Sequence, residues 1–302
     1  MLKTLLIVAL CFVVLPATAQ QVYVLGIAQD GGFPHLGCAK KCCAVAWEHP
    51  EIKRSVVALA VVDTPSRQWW LVEATPDIKE QLQNFKMLTG GRYPYLPAGI
   101  FITHAHIGHY TGLMQLGREV MNTKNVPVFA MPKMKVYLET NGPWSQLATL
   151  GNIKLEPIAA DSTVRLSGAL AITPFLVPHR DEFSETVGFK LKTGDKKFLF
   201  IPDIDKWSKW QRNIIEEVKA VDIALLDGTF YSDTELPGRN MSEVPHPFIL
   251  ETMQLFRDES DATRAKVHFI HFNHTNPLLL DKKKQHEVTK AGYKIAQQGA
   301  KL

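Results

Sequence analysis

Residues 98–113, AGIFITHAHIGHYTGL, contain three histidines within six positions, directly after a strand-like apolar run. Residues at i and i+2 of an extended segment point to the same side, so His104 and His106 can bind one ion. A turn into a helix predicted from about Tyr110 brings His109 back towards them. Imidazole is a standard ligand of zinc and similar metals. The spacing therefore predicts a metal site, and a surface loop that merely contains three histidines is the alternative.

Apolar and β-branched residues recur along the chain and predict strands and helices. The runs that favour strands are 21–28, 55–63, 69–74, 98–104, 126–131, 170–177, 187–192, 197–202, 221–227 and 266–272. The stretches that favour helices are 76–85, 110–121, 205–221, 246–258 and 281–292. This order suits two sheets with helices packed outside them better than strict strand–helix alternation. Since no Pro-, Gly- or Ser-rich boundary divides the chain, we expect one domain over residues 20–302.

The N-terminus has the three parts of a secretory signal peptide. Lys3 precedes an apolar run from Leu5 to about Pro16, and the small residues Ala17-Thr18-Ala19 follow. This pattern predicts a signal peptide over residues 1–19, and hence a periplasmic or secreted protein. A membrane anchor is the alternative, but the run is shorter than the roughly 20 apolar residues that a spanning helix needs.

The composition is that of an ordinary globular protein, with 46% hydrophobic and 21% charged residues. The formal net charge of +4 is mild, and the one basic run, Lys282-Lys283-Lys284, suits a solvated helix face better than a nucleic-acid patch. No second stretch resembles a membrane span. We therefore expect a small-molecule substrate, no nucleic-acid partner and no stable membrane insertion after processing, while the oligomeric state is left open.

The segment HAHIGHYTGL resembles the HxHxDHxxGL signature of the metallo-β-lactamase superfamily. Other landmarks of that superfamily follow in order: LVEATPDI with a buried Asp77, VPHRDEFSETVGF with His179, KFLFIPDID with Asp203, and KVHFIHFNHTNP with His271. The resemblance covers essentially the whole mature chain. It implies an αββα sandwich, an α/β (α+β) fold of two mixed β-sheets with outer helices.

The resemblance also implies a set of metal ligands. The first ion is expected on His104, His106 and His179, and Asp203 is expected to bridge to a second position that includes His109 and His271. Gly108 replaces the usual aspartate, which binds the second metal and orients the attacking water. We therefore expect one firm catalytic ion, most simply Zn²⁺, and a second that is weak or absent. Iron or manganese on the same ligands is not excluded, and an aspartate restored at position 108 is expected to strengthen the second position.

Within the superfamily, the chain is most similar to the pyrroloquinoline-quinone (PQQ) biosynthesis protein B family. The shared strings are GGFP at 31–34 with a neighbouring cysteine cluster, TPDI at 75–78, LLDGTF at 225–230, and the ending HFNHTNP at 271–277. Members of that family keep the Asp–His pair of the signature and lose its first two histidines, whereas this chain does the opposite. The biosynthetic role therefore does not carry over directly.

Three cysteines of the expected mature chain, Cys38, Cys42 and Cys43, are clustered within six residues. An odd, clustered set is a poor disulfide framework. Some phosphodiesterases of the superfamily bind a structural zinc through three N-terminal cysteines and a histidine three residues after the last catalytic ligand, here His274. The resemblance thus implies a separate, closed Cys3His zinc, and buried thiols without a metal are the alternative.

The function implied by this resemblance is metal-dependent hydrolysis, with metal-activated water attacking an ester, amide, lactam or phosphoester bond. Asp203 and His246 are the expected catalytic residues; His246 would touch the substrate or leaving group, unless it is a surface residue of a Pro-rich loop. Asp227 is expected to orient a ligand histidine or to cap a turn. The alternatives are an oxidative, iron-dependent role as in quinone-cofactor formation, and an accessory protein whose metal is only structural.

Overall fold

The computed structural model describes residues 20–302, so the expected signal peptide lies outside the described residues. Within the described part, the strands are β1 Gln20–Gly26, β2 Ala58–Asp63, β3 Gln68–Val72, β4 Gly99–Phe101, β5 Val126–Ala130, β6 Ile153–Pro157, β7 Val164–Arg165, β8 Leu170–Leu176, β9 Val187–Thr193, β10 Lys196–Ile201, β11 Ile223–Asp227, β12 Val267–Ile270 and β13 Lys294–Ile295. The helices are α1 Lys41–Glu48, α2 Ile78–Leu88, α3 Ile107–Tyr110, α4 Pro132–Thr140, α5 Trp144–Thr149, α6 Ile214–Lys219, α7 Ile249–Leu255, α8 Asp261–Arg264 and α9 Lys282–Lys290. None of these helices is long and apolar enough to cross a membrane.

The two sheets are built alike. The first has the strand order β1 to β6, and it is antiparallel from β1 to β3 and parallel from β3 to β6. The second has the order β13 to β7, and it is antiparallel from β7 to β10 and parallel from β10 to β13. All ten predicted strands are confirmed. The sequence missed β6, β7 and β13, because two of them have only two residues and β6 carries Lys154 and Glu156 between its apolar positions.

Side chains of the central strands point alternately to the two faces of a sheet, and both faces pack against apolar layers. In β2, Leu59 and Val61 face a core shared with the second sheet, whereas Ala60 and Val62 face a separate core that includes Phe85 of α2. Successive side chains of a strand point to opposite faces, so an unbroken apolar run is the expected pattern for a strand buried on both sides. The predicted αββα fold class, two mixed sheets with outer helices, is thereby confirmed.

Two predicted helices are shorter than expected. The stretch 110–121 holds only the end of α3 and a 3₁₀ helix, Thr111–Leu116. The stretch 205–221 is broken: a short 3₁₀ helix ends at Lys209, Trp210 is extended, and α6 begins after Asn213. The Asn213 side chain accepts hydrogen bonds from the first backbone N–H groups of α6, which fixes its start there. The sequence also missed α1, α4, α5 and α8.

Candidate metal centre

The predicted ligands meet at one edge of the two sheets. The segment from His104 to His109 follows β4, Asp203 follows β10 and His271 follows β12, so each comes just after the carboxyl end of a parallel strand. In open sheets of parallel strands this edge is where ligands bind. His179, in the loop after β8, reaches the same place.

Four of the predicted ligands converge on one point. The Nδ1 atom of His106 lies 2.8 Å from His104 Nε2 and 3.3 Å from His179 Nε2. The Oδ2 atom of Asp203 lies 3.4 Å from His104 Nε2 and 3.2 Å from His179 Nε2. Ligands of a tetrahedral zinc ion with bonds of about 2.05 Å are about 3.3 Å apart. These four side chains therefore have the spacing of a first metal site, and the 12% exposure of the His106 side chain marks its open edge.

His109 and His271 form a second group, together with a carboxylate that the sequence interpretation did not include. Asp30 Oδ1 lies 3.3 Å from His109 Nε2, and Asp203 Oδ2 lies 3.9 Å from the same nitrogen. One donor atom from each of Asp30, His109 and His271 falls within 4.8 Å of the others. The expectation that this position lacks a second carboxylate because of Gly108 is therefore wrong, since the loop after β1 supplies one.

Each of four histidine rings has a polar group close to its Nδ1 atom, which leaves Nε2 facing the centre. This group is a hydrogen-bond partner for His104, His179 and His271 and, for His109, a carboxylate at ion-pair distance without hydrogen-bond geometry. The partners are Thr103 Oγ1 for His104 at 2.9 Å, Glu73 Oε1 for His109 at 3.3 Å, Asp205 Oδ1 for His179 at 3.2 Å, and Thr229 Oγ1 for His271 at 2.8 Å. Such outer partners fix the ring orientation and tautomer of metal-bound histidines. Glu73 and His271 also have positive φ values, 77° and 67°, which non-glycine residues adopt only where the surrounding structure enforces them.

His246 lies beside both groups and is buried. Its Nδ1 atom is 2.9 Å from Asp227 Oδ2 and 3.1 Å from Asp203 Oδ1. Asp227 also accepts hydrogen bonds from the backbone N–H and the hydroxyl of Thr229, which in turn contacts His271. Asp227 thus contacts His246 directly, reaches His271 through Thr229, and caps the turn after β11. The alternative of a surface His246 is excluded by its 6% exposure.

Burial and the neighbouring charges set the ionisation of this centre. Burial opposes the charge of Asp203, but His179 and His246 hold its pKa well below the usual value. Burial likewise lowers the pKa of His109, yet Glu73 and Asp30 together raise it to about 10. Burial dominates at His271 and lowers its pKa to about 4. Without an ion, the cluster therefore combines ionised carboxylates with both charged and neutral imidazoles.

Cys38, Cys42, Cys43 and His274 form a separate cluster, as the resemblance implied. Cys42 Sγ lies 3.7 Å from Cys38 Sγ and 3.8 Å from His274 Nδ1, and Cys43 Sγ lies 3.3 Å from the same nitrogen. A tetrahedral zinc with Zn–S bonds of about 2.3 Å has sulfur atoms about 3.8 Å apart, whereas bonded disulfide sulfurs are about 2.05 Å apart. The spacing fits a zinc ion and not a disulfide, and all three thiols are free.

Comparison with known proteins gives the family. A family model described as "Beta-lactamase superfamily domain" matches residues 68–272. The chain belongs to the β-lactamase superfamily. Among its relatives, "Coenzyme PQQ synthesis protein B" of Methylorubrum populi is 26% identical, covering 93% of this chain and 99% of its own length. The same protein of Gluconobacter oxydans is 25% identical, covering 92% of this chain and 96% of its own length.

Two solved structures agree with this chain in fold. Zn²⁺-bound PqqB from Methylobacterium extorquens superposes with a TM-score of 0.73 at 23% identity, over 93% of this chain and 99% of its own. A diphosphatase from the PhnP family has a TM-score of 0.64 at 19% identity, over 94% of this chain and 96% of its own. The predicted resemblance to the metallo-β-lactamase superfamily, and to PQQ protein B within it, is confirmed.

Sequence reasoning missed four polar residues of this superfamily site: Asp30, Glu73, Asp205 and Thr229. Three of them lie inside strings already singled out: Glu73 is charged within an apolar strand run, Asp205 follows Asp203 by two, and Thr229 lies in LLDGTF. Asp30 directly precedes the GGFP stretch. Asp77 differs from its expected role. It is only half-buried, and it accepts a hydrogen bond from Val56 N without joining either cluster of ligands.

Proposed function

We propose that this chain is a metal-dependent hydrolase whose catalytic ion is held by His104, His106, His179 and Asp203. The observation that carries the proposal is the convergence of three ring nitrogens and one carboxylate oxygen, with separations of 2.8–3.9 Å between them. The bound ion would polarise the scissile bond and lower the pKa of a bound water to about 7. The exposed edge at His106 leaves room for a substrate to approach this ion.

The residues around the ion have distinct tasks in this proposal. Asp203 would hold the ion through Oδ2 and so place the water that the ion binds, while its Oδ1 is 3.1 Å from His246 Nδ1. Because Nδ1 of His246 donates to Asp227, its Nε2 is the atom that can give a proton to the leaving group. His246 therefore acts on the substrate and Asp227 acts through His246.

Assay of the protein after chelation and after return of Zn²⁺, Mn²⁺ or Fe²⁺ tests the proposal. Chromogenic esters, lactones, β-lactams and phosphodiesters cover the bonds that such a site can cleave. We expect turnover of at least one class that disappears on chelation and returns with metal, and that is absent in His104→Ala. Turnover that survives chelation, or that His104→Ala retains, would contradict the proposal. Asp258→Asn, an exposed substitution, is the matched control.

The whole-chain similarity favours a second candidate more strongly than it favours hydrolysis: a role in PQQ formation. The relatives named PQQ synthesis protein B align over 93% of this chain. Histidine and carboxylate ligands suit iron as well as zinc, so an oxidative reaction is compatible with the same residues. Rescue of PQQ production in a strain lacking protein B, with oxygen uptake by the iron-loaded protein, supports this candidate. If PQQ production is not rescued and no oxygen is taken up, while the protein is an active hydrolase, the role in PQQ formation is excluded.

Export is a further part of the proposal, because residues 1–19 have the signal-peptide pattern. N-terminal sequencing of the protein from a cell fractionation tests it. We expect a periplasmic or secreted protein that starts near Gln20. A soluble cytosolic protein that keeps Met1 would contradict the proposal without affecting the proposed chemistry.

A further inference from the structure

Asp30 occupies the space next to Gly108 that the aspartate of the HxHxDHxxGL signature would need. A Cβ atom built on Gly108 would lie 2.2 Å from Asp30 Oδ1 and 2.5 Å from Asp30 Cα. Non-bonded atoms do not approach so closely, and the Cα of Asp30 cannot rotate away as a side-chain tip can. Only glycine therefore fits at position 108 while Asp30 occupies its present position.

Backbone contacts hold Asp30 in that space. Ala28 bridges to both Val56 and Phe272, and Gln29 N donates to Phe272 O at 2.9 Å. A tight turn follows, closed by Gly32 N donating to Gln29 O at 2.7 Å. The segment that carries Asp30 is thus pinned beside the residue that follows His271. The position of Asp30 follows from this pairing between distant segments and not from a flexible side chain.

Six buried polar atoms of this centre have no hydrogen-bond partner among the described residues. Three of them, Asp30 Oδ1, His109 Nε2 and His271 Nε2, belong to side chains that could hold one ion. Asp30 Oδ1 and His109 Nε2 are 3.3 Å apart but do not have hydrogen-bond geometry. Buried polar atoms almost always have a partner, and a set of them aimed at one point calls for a ligand. With Asp203 Oδ2 at 3.9 Å from His109 Nε2, the donors are two imidazoles and two carboxylates.

We infer that Asp30 takes over the role of the aspartate that Gly108 replaces, and completes a second metal site with His109, His271 and Asp203. This inference rests on the proposed metal-dependent function and assigns the second ion of the same centre. Asp30 would bring a carboxylate of its own to the second ion and Asp203 would be shared with the first, and nitrogen and oxygen donors suit zinc, manganese or iron. The chain therefore binds two ions at this centre, and an aspartate introduced at position 108 alone collides with Asp30 instead of strengthening the second site.

The test is a metal count on the protein spanning residues 20–302, stripped and then reloaded with Zn²⁺, with affinities from competition with a chromophoric chelator. We expect three zinc ions per chain, two at this centre and one on Cys38, Cys42, Cys43 and His274. Asp30→Gly is expected to weaken one of the three by at least about 100-fold, since even loss of an outer partner costs 10–100-fold. Gly108→Asp alone is expected to weaken the same ion.

The decisive variant is the exchange Asp30→Gly/Gly108→Asp, which moves the carboxylate back to the signature position. It is expected to bind three ions again, with the lost affinity largely restored. Asp30→Asn, which keeps the side-chain shape, separates loss of the ligand charge from misfolding, and it is expected to weaken the same ion while the melting temperature of the zinc-free protein stays the same. Asp258→Asn should bind all three ions as the parent does.

The outcomes separate the inference from the proposed function. Three ions with unchanged affinity in both Asp30→Gly and Asp30→Asn would overturn the assignment of Asp30, while metal-dependent turnover would leave the proposed function intact. An exchange variant that does not regain the ion would overturn the equivalence of the two positions. A parent protein that binds zinc only at the cysteine cluster would overturn the inference and the proposed function together.

Discussion

The His/Asp centre comprises both groups of candidate ligands around Asp203. It shares two chain segments with the Cys3His cluster, but the two differ in donor atoms and in surroundings. The segment after β1 gives Asp30 to the first and Cys38, Cys42 and Cys43 to the second, and the segment after β12 gives His271 and His274. The Cys3His cluster has four neutral or thiolate donors and no carboxylate. The His/Asp centre collects donors from several loops and holds its rings with outer carboxylates and hydroxyls.

One pair of segments thus contributes to two clusters with different donors, and we expect one to serve stability and the other chemistry. Four close donors of the Cys3His type leave no free coordination position, which is typical of a structural zinc. The same ion would fasten the segment that carries Asp30 against the segment that carries His271. The carboxylate-rich centre keeps an open edge at His106. We therefore expect the cysteine cluster to affect the second ion indirectly, through the position of Asp30.

The sharpest way to separate the two clusters is to remove a ligand that belongs to only one of them. His106→Ala deletes a ligand atom 2.8 Å from His104 Nε2. We expect kcat/KM to fall by more than about 10³-fold, because the metal and the field around the reacting bond are both disturbed. The melting temperature and the zinc of the Cys3His cluster should stay unchanged. Full turnover with full metal content in this variant would contradict the catalytic role of the His/Asp centre.

Removal of a thiol tests whether the Cys3His cluster holds a structural zinc. Cys43→Ser should lose one zinc ion and lower the free energy of unfolding by about 3 kcal/mol or more, because structural zinc contributes folding energy directly. For a chain of this size that corresponds to a fall in melting temperature of roughly 5 °C or more. Calorimetry with metal analysis measures both. An unchanged zinc count would show that the cluster is not a metal site.

The same variant measures the coupling between the clusters. We expect Cys43→Ser to weaken the ion bound by Asp30, His109 and His271 by about 10-fold, the lower end of effects on residues that position ligands. The ion on His104, His106 and His179 should keep its affinity, because its ligands lie on other segments. Equal weakening of both ions would indicate general unfolding instead of a displaced Asp30.

His246 distinguishes the chemistry of the first centre from its metal binding. His246→Gln should lower kcat by about 10²-fold, in the range of lost general acid catalysis. Metal content should stay unchanged, because all four proposed ligands of the first ion are untouched. Asp227→Asn, whose carboxylate contacts His246 Nδ1, is expected to show a smaller fall and an altered pH–rate profile. Loss of metal in His246→Gln would show that His246 is a ligand.

The last prediction concerns Glu235, which contacts the segment after β12 that carries His271 and His274. Glu235 accepts hydrogen bonds from Tyr231 N and from Thr275, the residue after His274. Burial raises its pKa to about 7, despite these hydrogen bonds. The protonated form is favoured in the folded protein, so stability is highest below about pH 4.5 and falls as pH rises through 7. Glu235→Gln should remove this fall, on the order of 2 kcal/mol, in denaturant titrations between pH 5 and 8; a pH dependence equal to that of the parent would contradict it.

Local sequence patterns were sufficient for the ten main strands, for the pair His104 and His106 and for the cysteine cluster. The fold class and the distant ligands His179, Asp203, His271 and His274 came from the resemblance to a known family. A buried strand shows as an apolar run, and His104 and His106 share one side of an extended segment by local geometry alone. The cysteines 38, 42 and 43 are likewise close in sequence. These features depend on a few neighbouring residues, so their pattern survives in a single chain.

The tertiary structure decided what local patterns do not contain. Asp30 and Gly108 lie 78 positions apart, and only the pairing of the loop after β1 with residues near Val56 and Phe272 brings one into the space of the other. The absence of a carboxylate at position 108 therefore predicted an incomplete second site, although a distant segment supplies the missing group. Glu73 and His271 are similarly aimed by positive φ values that the packed loops enforce. Spacing along the chain finds ligands that are neighbours, whereas replacement of one ligand by another from a remote loop depends on packing.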